Sequence, residues 1–243
     1  MGTEGSGRLD GRVVLITGAS RGLGAAVAEA CAAEGAKLVL VARTRGGLEE
    51  VDDVVRRHGS EATLVALDVT QGELVDTLGR ALFERFGRLD GLVAAAAELG
   101  PITPASHLEA KVLERVMAVN VLANHRLLRS MDPLLRLAPS ARAVFVTDGA
   151  AGPGRAYWGA YAASKAALEA LVLAYAAELR LTSVRVNLYD PGPMATKLRL
   201  QAYPGERPTT MPPPGVAAPP IVDLLTAGCQ LQGQLVRRPQ SGA

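Results

Sequence analysis

The stretch that decides the fold is residues 12–24, which read RVVLITGASRGLG. Its first half is a short run of mostly apolar residues and is typical of a buried strand. Its second half is a turn with glycines at positions 18, 22 and 24, followed by an alanine-rich helical pattern. A strand, a glycine turn and a helix in this order are typical of a nucleotide-binding turn in a parallel α/β sheet.

The three glycines of this turn each have a physical role. Gly18 allows the tight turn, Gly22 lets the backbone approach a pyrophosphate, and Gly24 lets the helix pack closely on the strand. The amide groups at the helix N-terminus favour a phosphate. We therefore expect dinucleotide binding here rather than a structural glycine turn alone. The residues assigned to this phosphate turn are Gly18, Ser20, Arg21, Gly22, Leu23 and Gly24.

Outward from this turn, short apolar runs alternate with stretches of helical period. Further strands are predicted at residues 37–42, 62–67, 89–94, 143–147, 184–188 and 234–237, and helices at about 25–35, 48–58, 73–86, 105–137, 161–181 and 221–227. Pro133 is expected to break or kink the longest helix. The alternation predicts an α/β fold, a Rossmann-type doubly wound parallel sheet of about seven strands with helices on both faces. The rival is a flavodoxin-like strand order, against which the first turn argues.

The chain has neither an internal repeat nor an obvious interdomain linker. We therefore predict a flexible polar lead-in over residues 1–10 and a single dinucleotide-binding domain over residues 11–243. Residues 191–220 are dense in proline and glycine and are predicted to form a long loop on the substrate side.

Composition excludes several classes of function. With 26 basic and 24 acidic residues, no basic run and only 4% aromatic residues, the chain is not expected to bind nucleic acid. No apolar segment reaches the roughly 18 residues of a membrane span and no leader is recognised, so a cytoplasmic location is expected. Cys31 and Cys229 lack the spacing of a zinc site, so no metal is predicted.

The glycine turn, with three residues between its first two glycines, resembles the short-chain dehydrogenase/reductase family, and the resemblance extends from about residue 11 to residue 239. In the segment 161–165, YAASK, Tyr161 and Lys165 match the family's Tyr-x-x-x-Lys pair. Asn120 resembles the family's catalytic asparagine. Asp68 and Val69, at the end of the third predicted strand, stand where the family holds the adenine ring.

The same resemblance implies further contacts and an activity. The segment 191–196, PGPMAT, is similar to the family's loop beside the nicotinamide. The additional cofactor contacts implied are Ala95, Pro191, Gly192 and Thr196. The activity implied is conversion between a carbonyl and an alcohol on a small molecule, by a homodimer or homotetramer.

The Tyr-Lys pair has a physical rationale. Residues four apart on a helix lie on one face, so the ammonium of Lys165 is expected to lower the pKa of Tyr161 from about 10. A phenol tuned in this way can donate a proton to a carbonyl oxygen as hydride arrives at carbon. By resemblance, Lys165 also binds the nicotinamide ribose, and Asn120 holds a water that relays protons to it.

Charge favours NADP over NAD. An NAD enzyme tends to carry an acidic residue at the end of the second strand, which accepts from the ribose 2′-hydroxyl. That strand end here reads VART, with Arg43 and no acid. Together with Arg21, Arg43 offers guanidinium groups suited to a 2′-phosphate.

The chain departs from the family pattern at two places. Residues 94–97 are all alanine where the family has Asn-Asn-Ala-Gly, and a positive φ at Ala97 would be strained. The family's serine lies about thirteen residues before the tyrosine, where this chain has Asp148. An ionised aspartate accepts hydrogen bonds but donates none, and it raises the pKa of a nearby tyrosine.

Four interpretations of this departure remain open. Asp148 is protonated in a dry site, Thr147 replaces the serine through a small shift, the carbonyl chemistry is weakened, or Asp148 only caps a loop. The alternative function is accordingly a dinucleotide-binding protein with lost or altered catalysis, acting as a sensor or structural partner. The retained Tyr161, Lys165 and Asn120 favour the enzyme.

Two further expectations concern surfaces. Six residues are expected near the pocket mouth: Tyr157, Trp158, Met194, Leu198, Tyr203 and Met211. The helix over residues 161–181 has few charges and many alanines, so it is expected to be buried on most sides. In the family resembled, that surface pairs with its twin in a second copy.

Overall fold

The central strand, β1 (Val13–Thr17), is buried along its whole length in the computed structural model, which describes residues 7–149 and 154–239. Val13 and Leu15 face one apolar core and Val14 and Ile16 face the other, as the two-residue period of a strand dictates. Each fully buried aliphatic side chain of this kind contributes about 1.5–3 kcal/mol. Burial on both faces explains why the strand reads as a continuous apolar run.

The strands form one parallel sheet. After β1 come β2 (Lys37–Ala42), β3 (Ala62–Ala66), β4 (Gly91–Ala94), β5 (Arg142–Val146), β6 (Arg185–Asp190) and β7 (Leu235–Arg237). The sheet order is β3-β2-β1-β4-β5-β6-β7, and every pairing between neighbours is parallel. This confirms the predicted doubly wound Rossmann-type sheet and excludes the flavodoxin-like order. The strand order reverses between β1 and β4, the place where such sheets bind ligands.

Helices cover both faces of the sheet. In chain order they are α1 (Gly22–Ala33), α2 (Arg45–Arg57), α3 (Gly72–Phe86), α4 (Ala110–Met117), α5 (Ala123–Leu137), α6 (Gly159–Glu178), α7 (Lys197–Ala202) and α8 (Ala218–Leu225). The core on one face contains side chains of α3, α5 and α6. The core on the other face contains side chains of α1, α2 and α8. None of the helices in the described ranges is long and apolar enough to cross a bilayer.

The longest predicted helix, residues 105–137, is divided differently from the prediction. A 3-10 turn (Ala105–His107) precedes α4, and a π-helical turn (Ala118–Leu122) joins α4 to α5. The predicted break at Pro133 is wrong, because α5 runs through this residue. Pro133 is exposed, so water can satisfy the carbonyl that the missing proline N–H leaves unpaired.

Residues 191–220, predicted as a loop, are partly helical. They contain α7, two 3-10 turns (Pro208–Thr210 and Pro214–Ala217) and the start of α8. The hydroxyl of Thr196 caps α7 by accepting from the N–H of Arg199 at 3.2 Å. Two prolines occupy the first turn of α8, where their missing N–H groups cost little. Local capping therefore allows helical turns to form in this segment despite its high proline content.

The predicted flexible lead-in is wrong for the residues nearest β1. Leu9 is fully buried, and the guanidinium of Arg8 pairs with Glu34 and with Asp223, both at 2.6 Å. The packed part of the chain therefore extends back at least to Gly7. Residues 1–6 lie outside the described part.

Candidate active site

A cleft of about 710 Å³ lies beyond the carboxyl ends of the parallel strands. Segments that follow six neighbouring strands contribute to it, so residues distant in sequence meet there. The predicted site residues that line it are Gly18, Ser20, Arg21, Gly22, Leu23, Gly24, Arg43, Asp68, Val69, Ala95, Asp148, Tyr161, Lys165, Pro191, Gly192 and Thr196. Asn120 lies behind the lining.

The glycine turn at one end of the cleft is packed so closely that a side chain would not fit at two of its three glycines. Gly18 has a φ of +68°, and a Cβ there would lie 2.9 Å from the Cα of Ala96. A Cβ on Gly24 would lie 2.3 Å from the carbonyl oxygen of Gly18. At Gly22, by contrast, the nearest atom to a Cβ is the Thr196 methyl at 3.5 Å. Since α1 starts here with no acidic residue in its first turn, the turn fits a dinucleotide phosphate.

The ends of β2 and β3 carry charges of both signs. Arg21 and Arg43 are exposed on the cleft. Asp68 accepts from the backbone N–H of Thr70 at 3.0 Å and from its hydroxyl at 2.8 Å. Burial raises the pKa of Asp68, but the two Thr70 hydrogen bonds, with Arg43 and Arg115, outweigh it and lower the pKa overall. Asp68 is therefore an anion that also holds the loop after β3.

Tyr161 and Lys165 are buried on the face of α6 that meets the cleft, each 4% exposed. The Lys165 Nζ lies 5.5 Å from the centroid of the Tyr161 ring and donates to the carbonyl of Val146 at 2.9 Å. Burial lowers the pKa of Lys165 to about 8, even though Asp148 and Glu169 oppose this shift. The ammonium is thus positioned by the end of β5 as well as by its own helix.

Asp148 contacts the tyrosine directly. The Tyr161 hydroxyl donates to Asp148 Oδ2 over a long 3.4 Å. Burial, followed by the charges of Asp148 and Asp190, raises the pKa of Tyr161 well above its usual value. The expectation that Lys165 lowers this pKa is therefore wrong for the protein as described. The burial of Tyr161 and the charge of Asp148 therefore determine the direction in which this pKa is shifted.

The Thr147 hydroxyl takes no part in this contact. It donates to Glu169 Oε1 at 2.6 Å, and the residue is only 2% exposed. The hydroxyl hydrogen of Thr147 is therefore bonded to a carboxylate rather than directed at Tyr161, and the interpretation in which Thr147 replaces the serine through a small shift stays a prediction. The side chain that meets Tyr161 at the end of β5 is that of Asp148.

Asn120 joins two parts of the site from within the π-helical turn. Its Oδ1 accepts from the N–H of Glu98 at 2.8 Å, and its Nδ2 donates to the Glu98 carbonyl at 2.8 Å and to the Ser164 hydroxyl at 2.9 Å. Both amide hydrogens are therefore bonded to protein, and the side chain clamps the segment after β4 onto α6. The water relay proposed for Asn120 stays a prediction.

Asn120→Ala is expected to lower the free energy of unfolding by about 2–4 kcal/mol, because it removes three hydrogen bonds that hold Glu98 and Ser164. Denaturant unfolding measures this loss. Asn124→Ala is a matched control, since Asn124 donates a single hydrogen bond, to the carbonyl of Asn120. Equal losses in the two variants would contradict the clamp.

The alanines at residues 94–97, the first of which ends β4, do not carry the strain that a positive φ at Ala97 would cause. Among the described non-glycine residues only Tyr157 has a positive φ, of 71°. The left-handed position after β4 is at Gly100, with a φ of +71°. The segment turns there, and the Asn120 clamp at Glu98 holds the backbone before it.

An aromatic wall, formed by Leu99, Trp158, Tyr161, Leu198 and Tyr203, closes the other end of the cleft. The Trp158 ring lies 6.0 Å from that of Tyr161 and 5.9 Å from that of Tyr203. Of the six residues expected at the mouth, Trp158, Met194 and Leu198 line the cleft. Tyr203 packs behind Trp158, whereas Tyr157 and Met211 lie outside the lining.

Asp190 is a site residue that the sequence analysis missed. Its carboxylate accepts from the backbone of Gly149 at 3.0 Å and of Gly192 at 2.9 Å. It thereby ties the segments after β5 and β6 together at the cleft. The available signal was an aspartate directly before Pro191 and Gly192, a common pattern for holding a turn.

Comparison with known proteins agrees with this geometry. A family model described as short chain dehydrogenase matches residues 12–207. The uncharacterized oxidoreductase YciK of Escherichia coli K12 is 34% identical over 214 residues, 87% of this chain and 84% of that protein.

Solved structures extend the similarity over nearly the whole chain. A short chain dehydrogenase from Pseudomonas syringae has a TM-score of 0.93 and 38% identity, with 97% of each chain covered. A short chain dehydrogenase from Shigella flexneri, complexed with NADP, has a TM-score of 0.92 and 31% identity, with 96% of this chain and 99% of that chain covered. The glycine turn, the Tyr-Lys pair and these similarities together establish that this chain belongs to the short-chain dehydrogenase/reductase family.

Proposed function

We propose that this protein is an NADP-dependent oxidoreductase that interconverts a carbonyl group and a secondary alcohol on a small molecule, with Tyr161 as general acid/base. The observation that carries the proposal is the shared cleft: Tyr161 and Lys165 line the same cavity as the phosphate turn. A cofactor held at the turn and a substrate against the aromatic wall would meet beside the tyrosine.

The chain offers groups for each part of the cofactor. The phosphate turn would bind the pyrophosphate, and Arg21 and Arg43 the 2′-phosphate. By family resemblance, Asp68 and Val69 would flank the adenine. Also by family resemblance, the nicotinamide end would meet Ala95, Pro191, Gly192, Thr196 and Lys165. NADPH supplies a hydride for the carbonyl carbon when it is bound.

The protein's own contribution is proton transfer and position. Tyr161 donates a proton to the carbonyl oxygen in reduction and accepts one from the alcohol in oxidation. Burial and the charge of Asp148 raise the pKa of Tyr161, so the phenol is protonated at neutral pH and can act as the donor in reduction. The aromatic wall would place apolar side chains beside the reacting carbon.

Asp148 stands at the position of the family's serine in this proposal. An ionised carboxylate cannot donate to the substrate oxygen, so Tyr161 is the donor to it in this scheme. Retention of the Tyr-Lys pair in the cleft favours an enzyme over the alternative, a dinucleotide-binding protein without catalysis.

A panel of ketones and aldehydes, assayed with NADPH by the loss of its absorbance, tests the proposed function. We expect turnover of at least one carbonyl compound and formation of the corresponding alcohol. Tight binding of NADPH with no turnover across the panel, in the parent and in variants at position 148, would favour the non-catalytic alternative.

Arg43→Ala is expected to weaken NADPH binding about tenfold or more and to leave NADH binding nearly unchanged, since a charge-assisted contact to phosphate is lost. Titration of both cofactors measures the two affinities. Arg45→Ala is the matched control, because Arg45 is exposed nearby but pairs with Glu49 at 2.9 Å. Equal binding of NADPH and NADH by the parent protein would contradict the preference.

Self-association through α6 completes the proposal. Apart from Glu178 at its end, the exposed side of this helix carries small or apolar side chains: Ala163, Ala166, Ala170, Leu173, Ala174 and Ala177. Such a face lets the same helix of a second copy approach closely. Light scattering is expected to give two or four times the 25.3 kDa of one chain. A single-chain mass at micromolar concentration would contradict it.

A further inference from the structure

The side chain of Asp148 places a carboxylate beside the proton donor of the site. Its Oδ2 lies 3.4 Å from the Tyr161 hydroxyl oxygen, and the residue lines the cleft. A carbonyl oxygen that accepts from Tyr161 therefore has a carboxylate near it. With a neutral ketone, this carboxylate repels the negative charge that develops on oxygen during reduction.

The charges around this point are mostly negative. Asp148, Asp190 and Glu169 act on Tyr161 or Lys165, and Lys165 is the cation among these four groups. Asp190 holds two backbone N–H groups and lies 3.8 Å from the guanidinium of Arg237, and Glu169 accepts from Thr147. Neither of them lines the cleft, whereas Asp148 does. Asp148 is therefore the carboxylate of this group that a substrate can reach.

Of the basic side chains that line the cleft, Lys197 is exposed to solvent, and two others are paired with carboxylates other than Asp148. Arg199 pairs with Glu206 at 2.6 Å, and Arg115 pairs with Glu98 at 2.7 Å. The guanidinium of Arg155 lies 4.3 Å from the centroid of the Trp158 ring, a cation–π contact made outside the lining of the cleft.

We propose that Asp148 binds a protonated amine of the substrate, and that the substrates of this enzyme are ketones with an ammonium group on the adjacent carbon. This proposal rests on the proposed function and names its substrate class. In a vicinal amino ketone the oxygen and nitrogen are on the order of 3 Å apart, from standard bond lengths. That spacing matches the Tyr161 donor and the Asp148 acceptor. The aromatic wall accommodates the apolar remainder of the molecule.

The reaction balances without any further reagent. The carbonyl carbon gains a hydride from reduced nicotinamide, which is oxidised, and the carbon–oxygen π pair moves to oxygen. That oxygen takes the proton of Tyr161, so the product is a vicinal amino alcohol. The ammonium group is unchanged, and its charge offsets that of Asp148 throughout the step.

Binding can be read independently of turnover. The chain has one tryptophan, Trp158, and it lies in the wall of the site, so its fluorescence reports occupancy. Phenylethanolamine and the neutral phenylethylene glycol differ by an ammonium in place of a hydroxyl. With saturating oxidised cofactor, we expect the parent to bind the amine about tenfold or more tightly than the diol.

Three variants test the assignment. Asp148→Asn keeps the shape and removes the charge, and should abolish the preference for the amine. Asp148→Ser should do the same. Asp76→Asn removes one charge on α3, away from the cleft, and should keep the preference. Cofactor titration checks that each variant is folded. Equal binding of the two ligands by the parent, or a preference that survives in Asp148→Asn, would overturn the proposal.

Turnover separates this proposal from the proposed function. The parent should reduce α-aminoacetophenone with a kcat/KM about tenfold or more above that for α-hydroxyacetophenone, and Asp148→Ser should lose this preference. Equal reduction of both ketones by the parent contradicts the substrate class and supports the oxidoreductase. Amine-selective binding with no reduction of any ketone contradicts the oxidoreductase and supports the ammonium site.

Discussion

Tyr161→Phe is expected to lower kcat for any confirmed substrate by on the order of 10²–10⁴-fold, the range that positioned proton transfer contributes. The change keeps the ring, which packs against Trp158 at 6.0 Å, and removes the hydroxyl that meets Asp148. Cofactor affinity should change little, because the hydroxyl is not among the phosphate contacts. Steady-state kinetics with a cofactor titration measure both quantities.

Tyr175→Phe is the matched control for this experiment. Tyr175 also lies buried on α6, and its hydroxyl donates to Asp132 Oδ1 at 2.6 Å, outside the cleft. Its loss should cost stability but not kcat. Turnover at the parent level in Tyr161→Phe, or an equal loss of kcat in both variants, would show that Tyr161 is not the acid.

Asp148→Ser is expected to increase the reduction of neutral ketones by on the order of 10²-fold, the effect of one donor aimed at a developing oxyanion. Two causes act together. The substitution removes a negative charge beside the reacting oxygen, and the new hydroxyl can donate to it. The measurement is kcat/KM for an uncharged ketone, with parent and variant compared at the same pH.

The pH profile gives this prediction a second, independent measurement. Burial and the charge of Asp148 raise the pKa of Tyr161. A proton donor acts only while it is protonated, so the reduction rate falls as pH rises through its pKa. Removing Asp148 lowers that pKa, and the basic limb of the profile should therefore move to lower pH.

Three outcomes distinguish the roles of Asp148. A faster rate with a shifted limb supports an ionised carboxylate in the site. A slower rate for every substrate would instead identify Asp148 as a protonated donor. An unchanged rate and profile would restrict Asp148 to a structural role in its loop and remove it from the catalytic residues.

Much of the fold was predictable because it depends on local patterns. The run from Val13 to Thr17 is buried on both faces, so it contains almost only apolar and β-branched residues. Glycine at positions 18 and 24 reflects close backbone contacts, which leave a mark in the sequence itself. The boundaries near Pro133 and in residues 191–220 were less predictable, since capping and solvent exposure decided them.

The sequence by itself determined the parallel sheet, the phosphate turn and the Tyr161–Lys165 pair, because each depends on residues close together in the chain. Only the tertiary structure decided how these parts interact. The pKa of Tyr161 is raised because folding brings the ends of β5 and β6 beside α6, so Asp148 and Asp190 act across space. Likewise, the Thr147 hydroxyl bonds Glu169, and Asn120 clamps Glu98 to Ser164. Electrostatic and hydrogen-bonding partners far apart in sequence are set by packing, which no local pattern records.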